Sequence, residues 1–449
     1  MAEIFNKIKN IFTPAVEGDF SATSLKNFGN VGGNIVSKTK GDKTIWALVL
    51  ILTVASLLLV YSSTGSLAYR MSRSTESYLF KQFALIIAGL MIIYFAHRIN
   101  YTIYSRLAVI VFVISVPLLL YTLLFGVQLN EGSRWIKLPV INLTFQTSDL
   151  AKLALFMYLS RMLSRKQHVI KDFKKGFLPI ITPVVIICGL IAPANLSTAI
   201  LIFGTSMMLM FIGRVSTKHL LATIGVFMIP LVLLIMLAVS TYNKAEHKAE
   251  KIPAAFALKR IPTWVSRIQT YLYSDKKDED SEKLYQINQS KIAIANGGWF
   301  GRGPGNSVQR NFLPHCYSDF IYSIIIEEYG LVGAAFIFLI YVLFLFRCIR
   351  LYRKCPFAFG AFLALALSFT LVIQAIVNMG VNVSMFPNTG VTLPLLSMGG
   401  SSFIFTCIAI GIILSVARNV EQIEGSQMEK ALAEAKPVET DQETENAEA

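Results

Sequence analysis

"TIWALVLILTVASLLLVYSS", from Thr44 to Ser63, runs about twenty residues without a charge. Wound as a helix, such a run crosses the roughly 30 Å hydrocarbon core of a bilayer. Similar runs recur along the chain, and they decide the fold class. Of 449 residues, 54% are hydrophobic and only 15% are charged, against about 25% charged in an ordinary soluble domain. The mean hydropathy is +0.57. Ten spans are predicted, near 44–63, 78–97, 103–125, 147–164, 177–194, 196–213, 218–240, 318–346, 356–380 and 399–418. The start, "MAEIFNKIKNIFTPAVEGDF", lacks the apolar core and cleavage pattern of a leader, so the first span is expected to be an uncleaved signal-anchor.

The net charge is +14, yet this does not point to nucleic acid. The basic residues collect in short loops, as orientation signals do. Segment 1–43 carries six lysines, among them Lys38, Lys40 and Lys43. Loop 161–176 carries Arg161, Arg165, Lys166, Lys171, Lys174 and Lys175, and loop 347–354 carries Arg347, Arg350, Arg353 and Lys354. With ten spans all three fall on one side, which places both termini in the cytoplasm. Loop 380–398 has no charge and falls outside. The long segment 241–317 also falls outside despite its lysines, because long loops translocate largely regardless of charge. From Glu421 to Ala449 the chain is acidic and poor in large apolar residues, and is expected to be a disordered cytoplasmic tail. The five cysteines show no CxxC spacing and imply neither a disulfide framework nor a zinc site.

Four stretches on the outer side carry polar residues that a plain helical bundle would not need. In "GSRWIKLPVINLTFQTSDLAKLAL" (Gly132–Leu155), Arg134 and Trp135 precede a span, and Asp149 and Lys152 share a helix face at its start. A lysine one turn into a span is costly unless it is paired or faces a cavity; snorkelling beside an interfacial Trp is the plainer alternative. "LIAPANLSTAILI" (Leu190–Ile202) reads as a tight hairpin in which Asn195 either lines a cavity or serves only the turn. "YQINQSKIAIANGGWFGRGPGNSVQRNFLPHCYSDFIYSIIIEEYGLVG" (Tyr285–Gly333) places Gln286, Gln289, Ser290, Lys291 and Asn296 before a glycine-rich turn, with Asp319, Glu327 and Glu328 after it. The turn lacks the Lys-Ser/Thr ending of a phosphate loop and follows no strand. "NMGVNVSMFPNTGVTLPLLSMGGSSFI" (Asn378–Ile404), which includes Ser401, breaks its helices at Gly390, Pro394 and Gly399–Gly400. Broken backbone at this depth requires burial in protein or a cavity to line.

In this order, these stretches resemble the SEDS family (shape, elongation, division and sporulation). "GVTLP" (Gly390–Pro394) and "GPGNSVQ" (Gly303–Gln309) are more similar to its division branch than to its elongation branch. There are departures. The hairpin has Asn195 where the family often has an acidic residue, and Tyr317-Ser318 stand where His-Thr is usual. The acidic run lacks the family's Pro and Gly before Tyr285-Gln286.

The resemblance implies an all-α polytopic membrane protein of about ten helices, with a large extracytoplasmic loop between helices 7 and 8. It implies a peptidoglycan glycosyltransferase at the outer face of the cytoplasmic membrane, placed at the division septum. The substrates would be lipid II, a disaccharide-pentapeptide on undecaprenyl pyrophosphate, and a nascent glycan strand. The expected partners are a class B penicillin-binding protein, which crosslinks the strand, and other division proteins. A carboxylate of "SDKKDEDSEK" (Ser274–Lys283) would act as general base toward the acceptor hydroxyl. Asp280 is the first candidate, Asp278 the second and Asp275 the third, unless the run merely solvates its loop. Arg134 and Lys152 would offset the charge of the leaving pyrophosphate. Trp135, Gln286, Gln289, Ser290, Lys291, Asn296, Asp319 and Ser401 would contact substrate. A divalent cation, Mg²⁺ or Mn²⁺, could assist, although no metal cage is visible in the sequence. Ten spans with interior charges also suit a lipid II flippase, and a scaffold that only recruits other proteins is a third reading.

Overall fold

In a computed structural model, residues 41–64, 75–129, 132–137, 144–243, 248–249, 261–273, 282–313 and 316–435 are described. The carboxylates Asp275, Asp278 and Asp280 lie outside them. All ten predicted spans are helices: α1 (Lys43–Ser63), α2 (Thr75–Arg98), α3 (Tyr101–Phe125), α4 (Thr147–Arg165), α5 (Leu178–Ile191), α6 (Leu196–Ile212) and α7 (Thr217–Ser240) in the first part. Within the long loop lie α8 (Ile261–Leu272) and α9 (Glu282–Gly297), and beyond it α10 (Ile321–Lys354), α11 (Ala358–Asn382) and α12 (Gly400–Ala435). A small antiparallel sheet, β1 (Val127–Leu129), β2 (Gly132–Lys137) and β3 (Thr144–Gln146), joins α3 to α4.

Among the described residues, eight of these helical segments are long and apolar enough to cross a membrane, the one ending in α5 beginning at Phe173. The two exceptions are informative. Helix α6 has only 17 residues. Helix α4 carries Asp149, Lys152, Arg161 and Arg165, yet its apolar side chains are buried. It is an interior helix, packed between α3, α5 and α11, and so is shielded from lipid. Helix α11 is buried along most of its length and forms the centre of the bundle, touching α4, α6, α10 and α12. Helix α7 is nearly bare, leaning on α8.

Two features depart from the sequence expectation. The helix of the last span continues to Ala435, past the point where a disordered tail was expected to begin. Its extension, rich in Glu, Gln and Ala, is made largely of good helix formers, and Glu424 pairs with Lys354 at 2.7 Å. The second feature is α10, which breaks at Gly330 (φ 70°). The glycine-rich turn after α9 fills the break. Arg302 N and Gly303 N donate to Glu327 O and Glu328 O at 2.9 Å, and Leu331 N donates to Gly298 O at 3.0 Å. A Cβ on Gly301 would lie 2.2 Å from Glu328 O, so only glycine permits this backbone approach. The adjacent buried carboxylates Glu327 and Glu328 hold this join together. Glu327 accepts from Ser307 Oγ and from the amides of Val308 and Gln309, and Glu328 accepts from Ser62 Oγ.

Candidate active site

At the end of the bundle opposite the Arg347–Lys354 run lies a cleft of about 450 Å³. Four elements drawn from two of the stretches above meet there: Trp135 of β2, Lys152 of α4, Gln286 of α9, and Asp319 in the turn before α10. Helix α8 contributes Arg267 and Tyr271, and α6 contributes Thr198.

Lys152 is held from two sides. Its Nζ is 3.4 Å from Asp149 Oδ1 on the same helix face and 2.9 Å from Gln374 Oε1 of α11. Asp149 is 5% exposed and its Oδ2 has no hydrogen-bond partner among the described residues. The ammonium therefore faces the cleft with a carboxylate beside it, which holds down the cost of a cation at this depth. Gln374 also donates from Nε2 to Thr392 O at 2.9 Å.

Gln374 begins a ladder of buried amides on one face of α11. Asn378 donates to Asp319 O at 2.9 Å and to Val391 O at 2.7 Å, and Asn382 donates to Asp319 O at 2.9 Å. The non-helical stretch 387–399 is satisfied by such side chains. Ser56 Oγ donates to Leu396 O at 3.0 Å and Tyr341 OH donates to Pro394 O. Ser397 Oγ donates to Ser318 O at 2.6 Å. This meets the condition for irregular backbone inside a membrane protein. It also holds the Asp319 turn beside Gly390, and both line the cleft.

The other predicted site residues are placed as follows. Arg134 sits in β2 next to Trp135, which pairs with Gln146 of β3. Ser290 is buried and ties α9 to its neighbours, 2.5 Å from Ser323 Oγ and 2.9 Å from Asn382 O. Gln289, Lys291 and Asn296 are not among the lining residues, because α9 reaches the cleft only at Gln286 and Ile287. Ser401 is buried and accepts from Gln146 N at 3.3 Å, while its neighbour Ser402 lines the cleft. Asn195 does line it and also caps α6. Gln374 and Asn388 line it without having been singled out from the sequence, and Tyr317, noted there only as a departure from the family pattern, lines it too. Burial pushes the Tyr317 phenol above its usual range, with Cys316, Tyr78 and Asp319 nearby adding to the shift, so it meets the cleft as a neutral hydroxyl. The signal for Gln374 was present: Gln374, Asn378 and Asn382 recur every four residues on an apolar span, and polar side chains so spaced share one face.

A family model described as "Cell cycle protein", covering FtsW, RodA and SpoVE, matches residues 42–422. The chain belongs to this family. Within the FtsW/RodA/SpoVE family, the "Probable peptidoglycan glycosyltransferase FtsW" of Trichlorobacter lovleyi is 30% identical over 385 residues, covering 85% of this chain and 94% of the relative. The protein of the same name from Hydrogenovibrio crunogenus is 30% identical over 384 residues, covering 84% and 91%. Two solved structures share the fold. One, described as "Structural coordination of polymerization and crosslinking by a peptidoglycan synthase complex", aligns at TM-score 0.63 and 24% identity over 85% of this chain and 99% of that chain. The other, Thermus thermophilus rod shape determining protein RodA, aligns at 0.57 and 23% identity over 84% and 97%. The chain is thus a polytopic helical membrane protein of the FtsW/RodA/SpoVE family.

Proposed function

We infer that the protein is a peptidoglycan glycosyltransferase of the cell-division type. The observation that carries this reading is the convergence of Trp135, Lys152, Gln286 and Asp319 on one cleft, in a chain about 30% identical to relatives named for that activity. In the reaction, an acceptor sugar hydroxyl attacks the anomeric carbon of lipid II and loses a proton, and the lipid pyrophosphate leaves. Lys152 offsets charge on the leaving group, where a fixed cation counts most because the bond is breaking. The general base is a carboxylate of the 274–281 segment, Asp280 before Asp278. That segment joins Tyr273 to Glu282, and both flanking helices line the cleft through Tyr271 and Gln286.

Among the described residues, no group of three or more His, Cys, Asp or Glu converges to hold a metal ion. Among the described residues, the cleft offers Asp149 and Asp319 as its carboxylates. That donor set does not fit a resident metal cage. It is compatible with a divalent cation carried on the pyrophosphate, since Mg²⁺ is commonly held by one or two carboxylates plus phosphate oxygens.

A transporter needs a pathway reached from both sides. The residues lining this cleft all come from one end of the bundle, which favours polymerisation over flipping. The cleft end faces outward if the basic loops are cytoplasmic, with both termini inside and the enzyme working at the septum beside a class B transpeptidase. The test is polymerisation in detergent, where there is no membrane to flip across. The purified chain, alone and with its transpeptidase partner, is expected to convert lipid II to glycan polymer. Absence of polymer under both conditions, with lipid II transport in vesicles intact, would overturn the reading.

A further inference from the structure

The glycine-rich turn that fills the Gly330 break displays two aromatic side chains at its tip. Trp299 is 72% exposed and Phe300 is 84% exposed. These are not loosely held groups. The turn is fixed to α10 by the amides of Arg302, Gly303, Leu331 and Val332, the last donating to Trp299 O at 3.2 Å. A Cβ on Gly330 would lie 2.2 Å from Trp299 O, so the two backbones lie in direct contact. A rigid pair of large aromatics pointing away from the protein is a binding feature rather than stray surface.

The height of the pair along the bundle identifies what it meets. Beyond Gly330, α10 runs 16 apolar residues, from Leu331 to Phe346, before the basic run that begins at Arg347. At 1.5 Å per residue that is roughly 24 Å, most of the roughly 30 Å hydrocarbon core, and the long side chains of Arg347 and Arg350 reach back to the opposite headgroups from the last turns. The crossing half therefore begins at Leu331, and the backbone bonds place Trp299 and Phe300 beside its first turn. The adjoining residues of that turn, Val332 and Phe336, are 53% and 55% exposed. An exposed apolar strip thus runs from the start of the spanning helix up to the aromatic tip. The turn is also cationic. From Gly297 to Asn311 it carries Arg302 and Arg310 and no carboxylate, and Arg302 is exposed.

We propose that Trp299 and Phe300 form an interfacial anchor that seats in the headgroup layer of the leaflet at the cleft end, with Arg302 against lipid phosphate. Trp is favoured at this depth because its ring is apolar and its N–H is polar. The anchor fixes the height of the glycine-rich turn, and through it α9, relative to the membrane surface. Gln286 on α9 lines the cleft, so the anchor sets the level at which the cleft meets a lipid-linked substrate.

The full chain in nanodiscs tests this. It contains four tryptophans, so the difference between the parent and Trp299→Phe isolates the Trp299 emission. A variant with Trp46, Trp135 and Trp264 changed to Phe reports Trp299 directly should that substitution not fold. Lipids brominated near the glycerol end of their chains are expected to quench Trp299 severalfold more than lipids brominated near the chain end or aqueous iodide. Dominant quenching by iodide would mean a tip left in water, or one reserved for a protein partner, and would overturn the proposal. Equal quenching by both brominated lipids, or stronger quenching by the deep one, would overturn it as well.

Discussion

Lys152 Nζ donates to Gln374 Oε1 at 2.9 Å, bridging α4 and α11 at the floor of the cleft. The ammonium is thereby fixed beside Asp149, and its position depends on both helices. Lys152→Met is expected to lower polymerisation by about 100-fold or more, the scale lost when one charge-stabilising donor is removed. It also strands Asp149 as an unpaired buried carboxylate, costing about 3–5 kcal/mol. The pair Asp149→Asn/Lys152→Met should regain most of the thermal stability in detergent and none of the activity. Recovery of polymer in the double variant would mean that Lys152 serves the fold alone.

The amide ladder of α11 gives a second expectation. Asn378 is the only one of its residues that bonds both Asp319 O and Val391 O. Asn378→Leu keeps the volume roughly constant and takes the Asn378 donor from Val391 O, at a cost of about 1–3 kcal/mol, while Asp319 O keeps its bond from Asn382. The thermal midpoint should fall, and limited proteolysis should open first within 387–399. Gln374→Leu should behave differently. It loses the contact to Lys152 as well as that to Thr392 O, so activity should fall further than stability predicts.

The sequence was most legible where the bilayer dictates the answer. Ten apolar runs became ten helices because span length and loop charge leave little freedom. Asp149 and Lys152 were visible because a buried charge in a span requires a reason. Gln374 was overlooked because its partners, Lys152 and Thr392, come from other segments of the chain, and such pairings are invisible along it. The partners of Glu327 and Glu328 were invisible for the same reason. Their costly burial was plain, but what they bond, the Ser307–Gln309 turn and Ser62, is set by tertiary contact. The helical extension to Ala435 was missed because its polar composition resembles disorder as much as it resembles an exposed helix.

The contact between Gly301 and Gly330 makes a sharp prediction. Both have positive φ, 78° and 70°, and an added Cβ at either would lie 2.2 Å from a backbone oxygen. Gly301→Ala and Gly330→Ala must separate the turn from α10 and break the bonds to Glu327 O and Glu328 O. Each is expected to cost more than about 3 kcal/mol, read as poor yield of monodisperse protein. Gly298, which also has positive φ but open space around its Cβ position, should tolerate Ala at about 1–2 kcal/mol.

The acidic segment before α9 supplies the last test. If one carboxylate takes the acceptor's proton, its amide variant keeps the shape of the side chain and loses the charge and the basicity. Asp280→Asn is expected to bind lipid II as the parent does while polymerisation falls by about 10²–10⁴-fold, the range for removing a general base. Asp278→Asn and Asp275→Asn should stay within a few-fold of the parent. Asp319→Asn separates proton transfer from positioning, because its carboxylate lines the cleft while its carbonyl is held by Asn378 and Asn382. It should raise KM more than it lowers kcat, as expected for lost substrate binding. A collapse of kcat in Asp319→Asn with normal turnover in Asp280→Asn would move the base from the acidic segment to the turn before α10.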